Sequence, residues 1–245
     1  MARYKVILAY DGSDFKGYQR QGDARTVQGV FETALKLMGW QGGTILSSGR
    51  TDTGVHATGQ VVAFDIAWKH TTPELLRALN ANLPKDVAVR ALEEVSADFH
   101  PRYSAQARQY SYRLFCDEIR DPMHERYAWR VWPAVFLQNL KAIAELSVGT
   151  HDFGAFGKPQ KPGGKTIRTV TRADWLEESG DLIFEIVGNS FLYHMVRRLT
   201  AFQVSMAQNG TSLDEARRYF TEGEELAYIG LAPAQGLTLV RVYYP

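Results

Sequence analysis

Cysteine is almost missing from this chain. Cys116 stands alone among 245 residues, which excludes an internal disulfide and any cysteine-rich zinc site and fits a reducing compartment. A paired-histidine motif is missing as well: His56, His70, His100, His124, His151 and His194 include no pair at His-x-x-x-His spacing within an expected helix. Also missing are a phosphate-binding glycine loop and a dinucleotide fingerprint. Met1-Ala2-Arg3-Tyr4-Lys5 leads straight into a short alternating segment, without the apolar run of a signal peptide or a membrane span, so a cytoplasmic protein is expected. An excess of charge of either sign is lacking too: the net formal charge is only +1, and bulk composition gives no hint of a polyanionic partner. With 45% hydrophobic and 22% charged residues the chain has ordinary globular usage, which excludes disorder and fibrous repeats.

What charge there is has been sorted along the chain. Between Asp152 and Asp174 stand Lys158, Lys161, Lys165, Arg168 and Arg172 with no acid among them. Arg102, Arg108 and Arg113 lie between Asp98 and Asp117 in the same way, with His100 beside them, while Glu222, Glu224 and Glu225 gather elsewhere. One such run is usually a solvated face. Two of them with interleaved aromatics point toward nucleic acid.

Arg3–Tyr10 alternates as a strand, and Asp11-Gly12 opens a polar loop reaching Gly22. Thr26 then caps an expected helix whose apolar face is Val27, Val30, Phe31, Ala34, Leu35 and Met38, ending at Gly39. Strands follow near Thr44–Ser48 and Gln60–Ile66, then a helix opened by Thr72-Pro73-Glu74 and a strand over Val87–Glu94. The second half repeats this β-α-β-β-α-β order. It reads as strand Ala107–Phe115, helix Val135–Leu146, strands Ile167–Trp175 and Leu182–Val187, helix Phe191–Gln208 and strand Leu237–Tyr243. An extra helix is expected around Ser212–Phe220, with Ser212 and Glu215 at capping-box spacing. The expectation is an α+β protein of two ferredoxin-like (RRM-like) units, residues 1–104 and 105–245, with largely antiparallel sheets, helices on one face and the other left for a partner.

Gly49-Arg50-Thr51-Asp52-Thr53-Gly54-Val55-His56 places ionisable and hydroxyl groups between two glycines in a strand-to-strand loop. Alone, it can be a turn whose Asp52 bonds its own backbone. Arg50 sits two residues before Asp52, so both can face one cleft, where the guanidinium would keep the carboxylate ionised. A held, ionised carboxylate can serve as nucleophile or base at a ribosyl carbon or a uracil ring.

The sequence resembles the TruA family of tRNA pseudouridine synthases from about Tyr4 to Pro245. Carrying the resemblance are Tyr10-Asp11-Gly12, Phe15-Lys16-Gly17-Tyr18-Gln19, Gly49 through Ala57, Asn80-Ala81-Asn82-Leu83-Pro84 and Phe99-His100-Pro101-Arg102. Further on come Ala107-Arg108-Gln109-Tyr110-Ser111-Tyr112, Asp152-Phe153, Asn189-Ser190-Phe191-Leu192, His194-Met195-Val196-Arg197 and Ala232-Pro233-Ala234-Gln235-Gly236-Leu237. The resemblance implies that Asp52 is the catalytic aspartate and Arg50 the arginine that pairs with it and helps extrude the target base. It makes Tyr110 the tyrosine that stacks on the uracil, and Arg197 the arginine that orients the aspartate. Arg108, His56, Lys158, Lys161, Lys165 and Arg168 are the further residues expected to contact substrate. The resemblance also implies a homodimer acting at positions 38, 39 and 40 of the tRNA anticodon stem-loop, with no metal or organic cofactor.

Three departures stand out. Tyr18 occupies a usual tryptophan position, Thr53 a usual alanine position, and Ala201-Phe202-Gln203 a Gly-Ser-Leu-like stretch, where looser helix packing is expected. Two rivals remain open on residues alone: a non-catalytic RNA-binding protein, and a glycosidase or nucleosidase using Asp52 with Asp11, since such enzymes need two convergent carboxyl groups. The missing ligand spacings yield a first prediction. Pseudouridine formation in tRNA should persist in excess chelator; complete loss that zinc restores would contradict it.

Overall fold

The structure, a computed structural model, describes residues 1–221 and 230–245; the acidic group Glu222, Glu224 and Glu225 lies outside the described residues. The chain divides into two compact units, Met1–Gln106 with Thr238–Pro245, and Ala107–Leu237. Both are α+β. Against the expected limits of 1–104 and 105–245, the boundary falls two residues later and the last strand clusters with the first unit.

The first unit contains β1 (Ala2–Tyr10), α1 (Val27–Leu37), β2 (Leu46–Ser47), β3 (His56–Ile66), α2 (Thr72–Asn82), β4 (Val87–Val95) and, from the chain's end, β10 (Leu237–Tyr243). β1 pairs antiparallel with both β3 and β4. β2 is two residues long and pairs with Ala63 and Val62 of β3, while β10 runs parallel to the start of β3 at His56 and Ala57. Shortening β2 leaves the start of β3 open, and β10 fills it. Gly59 records how closely: a Cβ there would lie 2.1 Å from the Val240 carbonyl oxygen.

Local rules account for the helices. The Thr26 hydroxyl accepts from the Gly29 amide at 3.3 Å and starts α1, whose Val27, Phe31, Ala34 and Leu35 are buried. The Glu74 carboxylate accepts from both the Thr71 amide (2.8 Å) and its hydroxyl (2.7 Å), closing the N-terminus of α2 one residue earlier than expected. Tyr4, Val6, Leu8 and Tyr10 of β1 alternate into the core, where Phe64 meets Phe31 of α1 edge-on at 5.9 Å. β3 departs from the expected one-sided burial: Gln60, Val61, Val62, Ala63 and Phe64 are all buried, so both of its faces are covered there. Its continuous apolar run suits a central strand rather than an alternating one.

The second unit contains β5 (Ala107–Cys116), β6 (Trp129–Val131), α3 (Leu137–Glu145), β7 (Gly149–Asp152), β8 (Ile167–Glu178), β9 (Asp181–Gly188), α4 (Met195–Asn209) and α5 (Leu213–Thr221). β9 lies between β5 and β8, antiparallel to both; β7 is antiparallel to β8, and β6 runs parallel to β5. β6 and β7 were not expected; three or four residues at an edge carry no periodic signal. α4 begins four residues later than expected because Tyr193 is taken up in a bridge to Lys158, its amide donating to the Lys158 carbonyl at 2.9 Å. The expected loose packing of α4 is not found. Phe202 and Gln203 are fully buried, Phe202 meets Phe156 edge-on at 5.3 Å, and Gln203 Oε1 accepts from Trp175 Nε1.

No helix among the described residues is long and apolar enough to cross a membrane. The β10 insertion gives the fold's own test. Gly59→Ala should destabilise the protein by about 1–3 kcal/mol in urea unfolding, because backbone rather than a mobile side chain must yield. Gly43→Ala, whose Cβ would meet nothing within 4 Å, should leave the midpoint nearly unchanged.

Candidate active site

Residues 48–55 join β2 to β3, and buried partners fasten this loop at its start, middle and end. At its start, Gln60 is fully buried; its Nε2 donates to the Gly49 carbonyl (3.1 Å), and its Oε1 accepts from the Ser48 hydroxyl (2.6 Å) and the Val61 amide (3.1 Å). In the middle, the Thr51 hydroxyl pairs with the Tyr10 phenol at 2.8 Å, and the Thr51 carbonyl accepts from the Tyr18 amide at 3.0 Å. At its end, the Val55 amide donates to the Asp52 carbonyl at 3.2 Å, closing a β-turn in which Gly54 takes φ +80°. Asp52 is half-buried, while Arg50 and Thr53 are exposed.

Two glycines let the preceding loop approach this closely. A Cβ on Gly12 would lie 2.0 Å from the Val55 carbonyl oxygen, and one on Gly17, at φ +85°, would lie 3.1 to 3.4 Å from backbone atoms of residues 51–53. β1 is also irregular against β3 between Leu8 and Tyr10, which sets Tyr10 opposite Ala57 beside the loop. Tyr18, at the usual tryptophan position, is 2% exposed, and burial pushes its phenol well above the ordinary range.

Not every expected site residue is where its role would put it. Arg50 makes no ion pair with Asp52; it stands exposed, so the structure supplies it as a side chain available to a partner. His56 is 7% exposed rather than displayed to substrate, and its Nδ1 accepts from the Gly12 amide at 3.0 Å, closing the loop's base. Asp11, the second carboxylate of the glycosidase alternative, is occupied as a brace. Its Oδ1 accepts from the Ser13 amide (3.0 Å) and hydroxyl (2.7 Å) and lies 3.2 Å from His56 Nδ1.

In the second unit, Tyr110 on β5 is half-buried with its ring edge-on to Phe191 at 5.2 Å. Arg197, in the first turn of α4, donates from Nε to the Ala232 carbonyl at 2.7 Å, and the Ala232 amide returns a bond to the Arg197 carbonyl at 3.2 Å. Arg108 donates to the Asn189 carbonyl at 2.7 Å. Lys158, Lys161 and Lys165 are exposed, whereas Arg168 turns inward to the Lys165 and Ile167 carbonyls at 2.9 and 2.6 Å. Burial lowers the Arg168 pKa. The basic runs are also less bare than the sequence suggests, because β9 carries their acids: Asp181 pairs with Arg113 at 2.6 Å and Glu185 with Arg172 at 2.8 Å.

Sequence reasoning passed over Tyr10, Thr51 and Gln60 as supports of the loop. A polar Gln60 inside a buried strand was the available signal, since such a group must find partners. The hydroxyl pair can be tested directly. Tyr10→Phe and Thr51→Val should each destabilise the protein, and the double variant should show a coupling of about 1 kcal/mol in unfolding measurements.

The family model and the curated relatives agree on one family. A model described as tRNA pseudouridine synthase matches residues 6–104 and 143–245, which include Arg50, Asp52 and Arg197 and leave out Arg108 and Tyr110. The tRNA pseudouridine synthase A of Lacticaseibacillus casei (strain BL23) is 38% identical over 247 residues, covering 100% of both chains. That of Geobacillus kaustophilus (strain HTA426) is 39% identical over 246 residues, covering 99% of this chain and 94% of the relative. The Citrifermentans bemidjiense protein of the same name is 35% identical over 245 residues, covering 100% and 98%. Matched across most of its length by the family model and end to end by these relatives, the chain belongs to the tRNA pseudouridine synthase family, whose members are isomerases.

Proposed function

We propose that this tRNA pseudouridine synthase acts on uridines 38, 39 and 40 of the anticodon stem-loop, with Asp52 as its catalytic carboxylate. The observation that carries the reading is the Asp52 loop itself: its neighbours are fixed by buried partners while Asp52 is half-buried and Arg50 exposed. Loops are ordinarily the mobile part of a fold. Anchoring one at so many points costs conformational entropy, and a group that must meet a reacting atom within a fraction of an ångström justifies that cost.

The reaction is an isomerisation. The bond from ribose C1′ to N1 breaks, the uracil turns while still bound, C1′ joins C5, and the C5 proton is lost to solvent as N1 gains one. Nothing is oxidised and no water is consumed. Asp52 attacks C1′, adds to the ring or removes the C2′ proton; each route needs the ionised carboxylate. A uridine inside a stem has to leave its stack, at a cost of a few kcal/mol. Arg50 is assigned to entering the vacated space, Tyr110 to stacking on the uracil and Arg197 to orienting the carboxylate. Exposed Lys158, Lys161 and Lys165 are assigned to tRNA phosphates, where each contact should steepen the salt dependence of binding. On the same reading the enzyme is a cytoplasmic homodimer needing no organic cofactor.

The test uses unmodified tRNA carrying uridine at all three positions, with pseudouridine mapped at each nucleotide. Product confined to 38–40 is expected; product elsewhere would overturn the site assignment. Asp52→Asn keeps the side chain's volume and removes its charge, so tRNA binding should survive while product falls below detection. Arg50→Lys should retain partial activity, because charge remains but the planar guanidinium does not. Near-normal turnover by Asp52→Asn, free of wild-type contamination, would remove Asp52 from the mechanism.

A further inference from the structure

Glu32 is a carboxylate on α1 with a side chain only 2% exposed. Its two oxygens receive four donors. Oε1 accepts from Gln28 Nε2 at 2.8 Å, the Thr44 hydroxyl at 3.2 Å and the Ile45 amide at 3.2 Å, and Oε2 accepts from Arg20 Nη1 at 2.7 Å. Burying a charge costs several kcal/mol before its partners are counted, and a well-packed apolar residue commonly serves stability as well or better. The partners indicate what the carboxylate is for.

They come from the two segments that set the Asp52 loop. Thr44 and Ile45 lead directly into β2, whose end is continuous with Ser48 and Gly49. Arg20 ends the segment that carries Gly17 and Tyr18. Gln28 joins that segment to Glu32 a second time, its Oε1 accepting from the Arg20 amide at 3.1 Å and its own amide donating to the Tyr18 carbonyl at 2.9 Å. Tyr18 in turn donates to the Thr51 carbonyl at 3.0 Å, one residue from Asp52. One buried carboxylate thus holds the strand that enters the loop and the segment that clasps it.

We infer that Glu32 is a positioning residue for the pseudouridine-forming reaction, acting through Gln28, Tyr18 and Thr51 on one side and Ile45 and β2 on the other to set the place of the Asp52 carboxylate. It touches neither substrate nor Asp52. The inference rests on the assignment of Asp52 as the catalytic group.

Single-turnover kinetics on preformed enzyme–tRNA complex separates positioning from support, because amplitude reports the folded, competent fraction and the rate constant reports the chemistry. In Glu32→Gln one acceptor oxygen becomes an NH2 group facing donors, so the clasp opens without loss of volume. Its rate constant should fall about 10–100-fold, the scale of an ångström's misplacement, while tRNA affinity stays near wild type. Thr44→Val, at an exposed position, replaces by a methyl the hydroxyl that donates to Glu32 and accepts from Gln28 Nε2, and keeps the fold; its rate constant should fall about threefold, the scale of a modest hydrogen-bond loss.

Should Glu32→Gln fold poorly, Thr44→Val decides the matter. Wild-type rate constants with only a lowered unfolding temperature, or a loss confined to tRNA affinity, would make Glu32 an ordinary brace and overturn the inference. Asp52→Asn is measured alongside. If it is inactive while Glu32→Gln turns over at full rate, positioning alone has failed; if Asp52→Asn is active, the fault lies in the assignment of Asp52.

Discussion

The hydrogen bond from the Tyr18 amide to the Thr51 carbonyl ties together the two loops on which the candidate active site depends. A catalytic group on a loop faces conflicting demands: it must be reachable, yet it cannot wander. In this chain the demands fall on different residues. Gly49, Thr51 and His56 take up the bonding to Gln60, Tyr10, Tyr18 and Gly12, while Arg50 and Thr53 stay exposed and Asp52 half-buried. Glycine at 12 and 17 is the geometric condition for the clasp, since a side chain at 12 would strike the Val55 carbonyl and one at 17 would be held in a left-handed conformation against tightly spaced backbone.

The same economy shows in the first unit's sheet. β2 gives up pairing with β3 after two residues, which releases the chain to become the loop and exposes the start of β3. An unpaired strand edge there would be a liability. β10 covers it with a parallel pairing at His56 and Ala57, directly after the loop's final residue, so the chain's last strand also braces the base of the candidate site. The C-terminal residues therefore belong with the first unit for a physical reason, although their place in the chain suggests the second.

Legibility in the sequence tracked how local each signal was. α1 and α2 could be read from caps and spacing, and β1 from alternation, because each is determined by residues within a few positions of itself. β6 and β7 could not, since an edge strand of three or four residues owes its existence to a neighbour far along the chain. The loop 49–56 was conspicuous for its glycines and charges, but spacing alone suggested an Arg50–Asp52 pair that is not formed, and His56, expected to contact substrate, is buried. Proximity in sequence says that two side chains can meet. Whether they do depends on competing partners, and for His56 the Gly12 amide is the partner, supplied from 44 residues away.

The charge pattern shows the same limit from the other side. Acid-free runs in sequence suggested two broad basic faces, yet a strand's electrostatic neighbours are cross-strand and not sequential. β9 brings Glu185 to Arg172 and Asp181 to Arg113, neutralising one arginine of each run, and Arg168 spends its guanidinium on loop carbonyls. What remains in the second run is a lysine group, Lys158, Lys161 and Lys165, exposed and without ion pairs among the described residues. Lysine holds a phosphate as a mobile point charge and imposes no planar geometry. Such a group adds affinity for any RNA backbone near it and little discrimination among nucleotides. On the proposed function, the choice of uridine must then come from elsewhere: from the energy of drawing a base out of its stack, and from the loop that holds Asp52 ready to receive it.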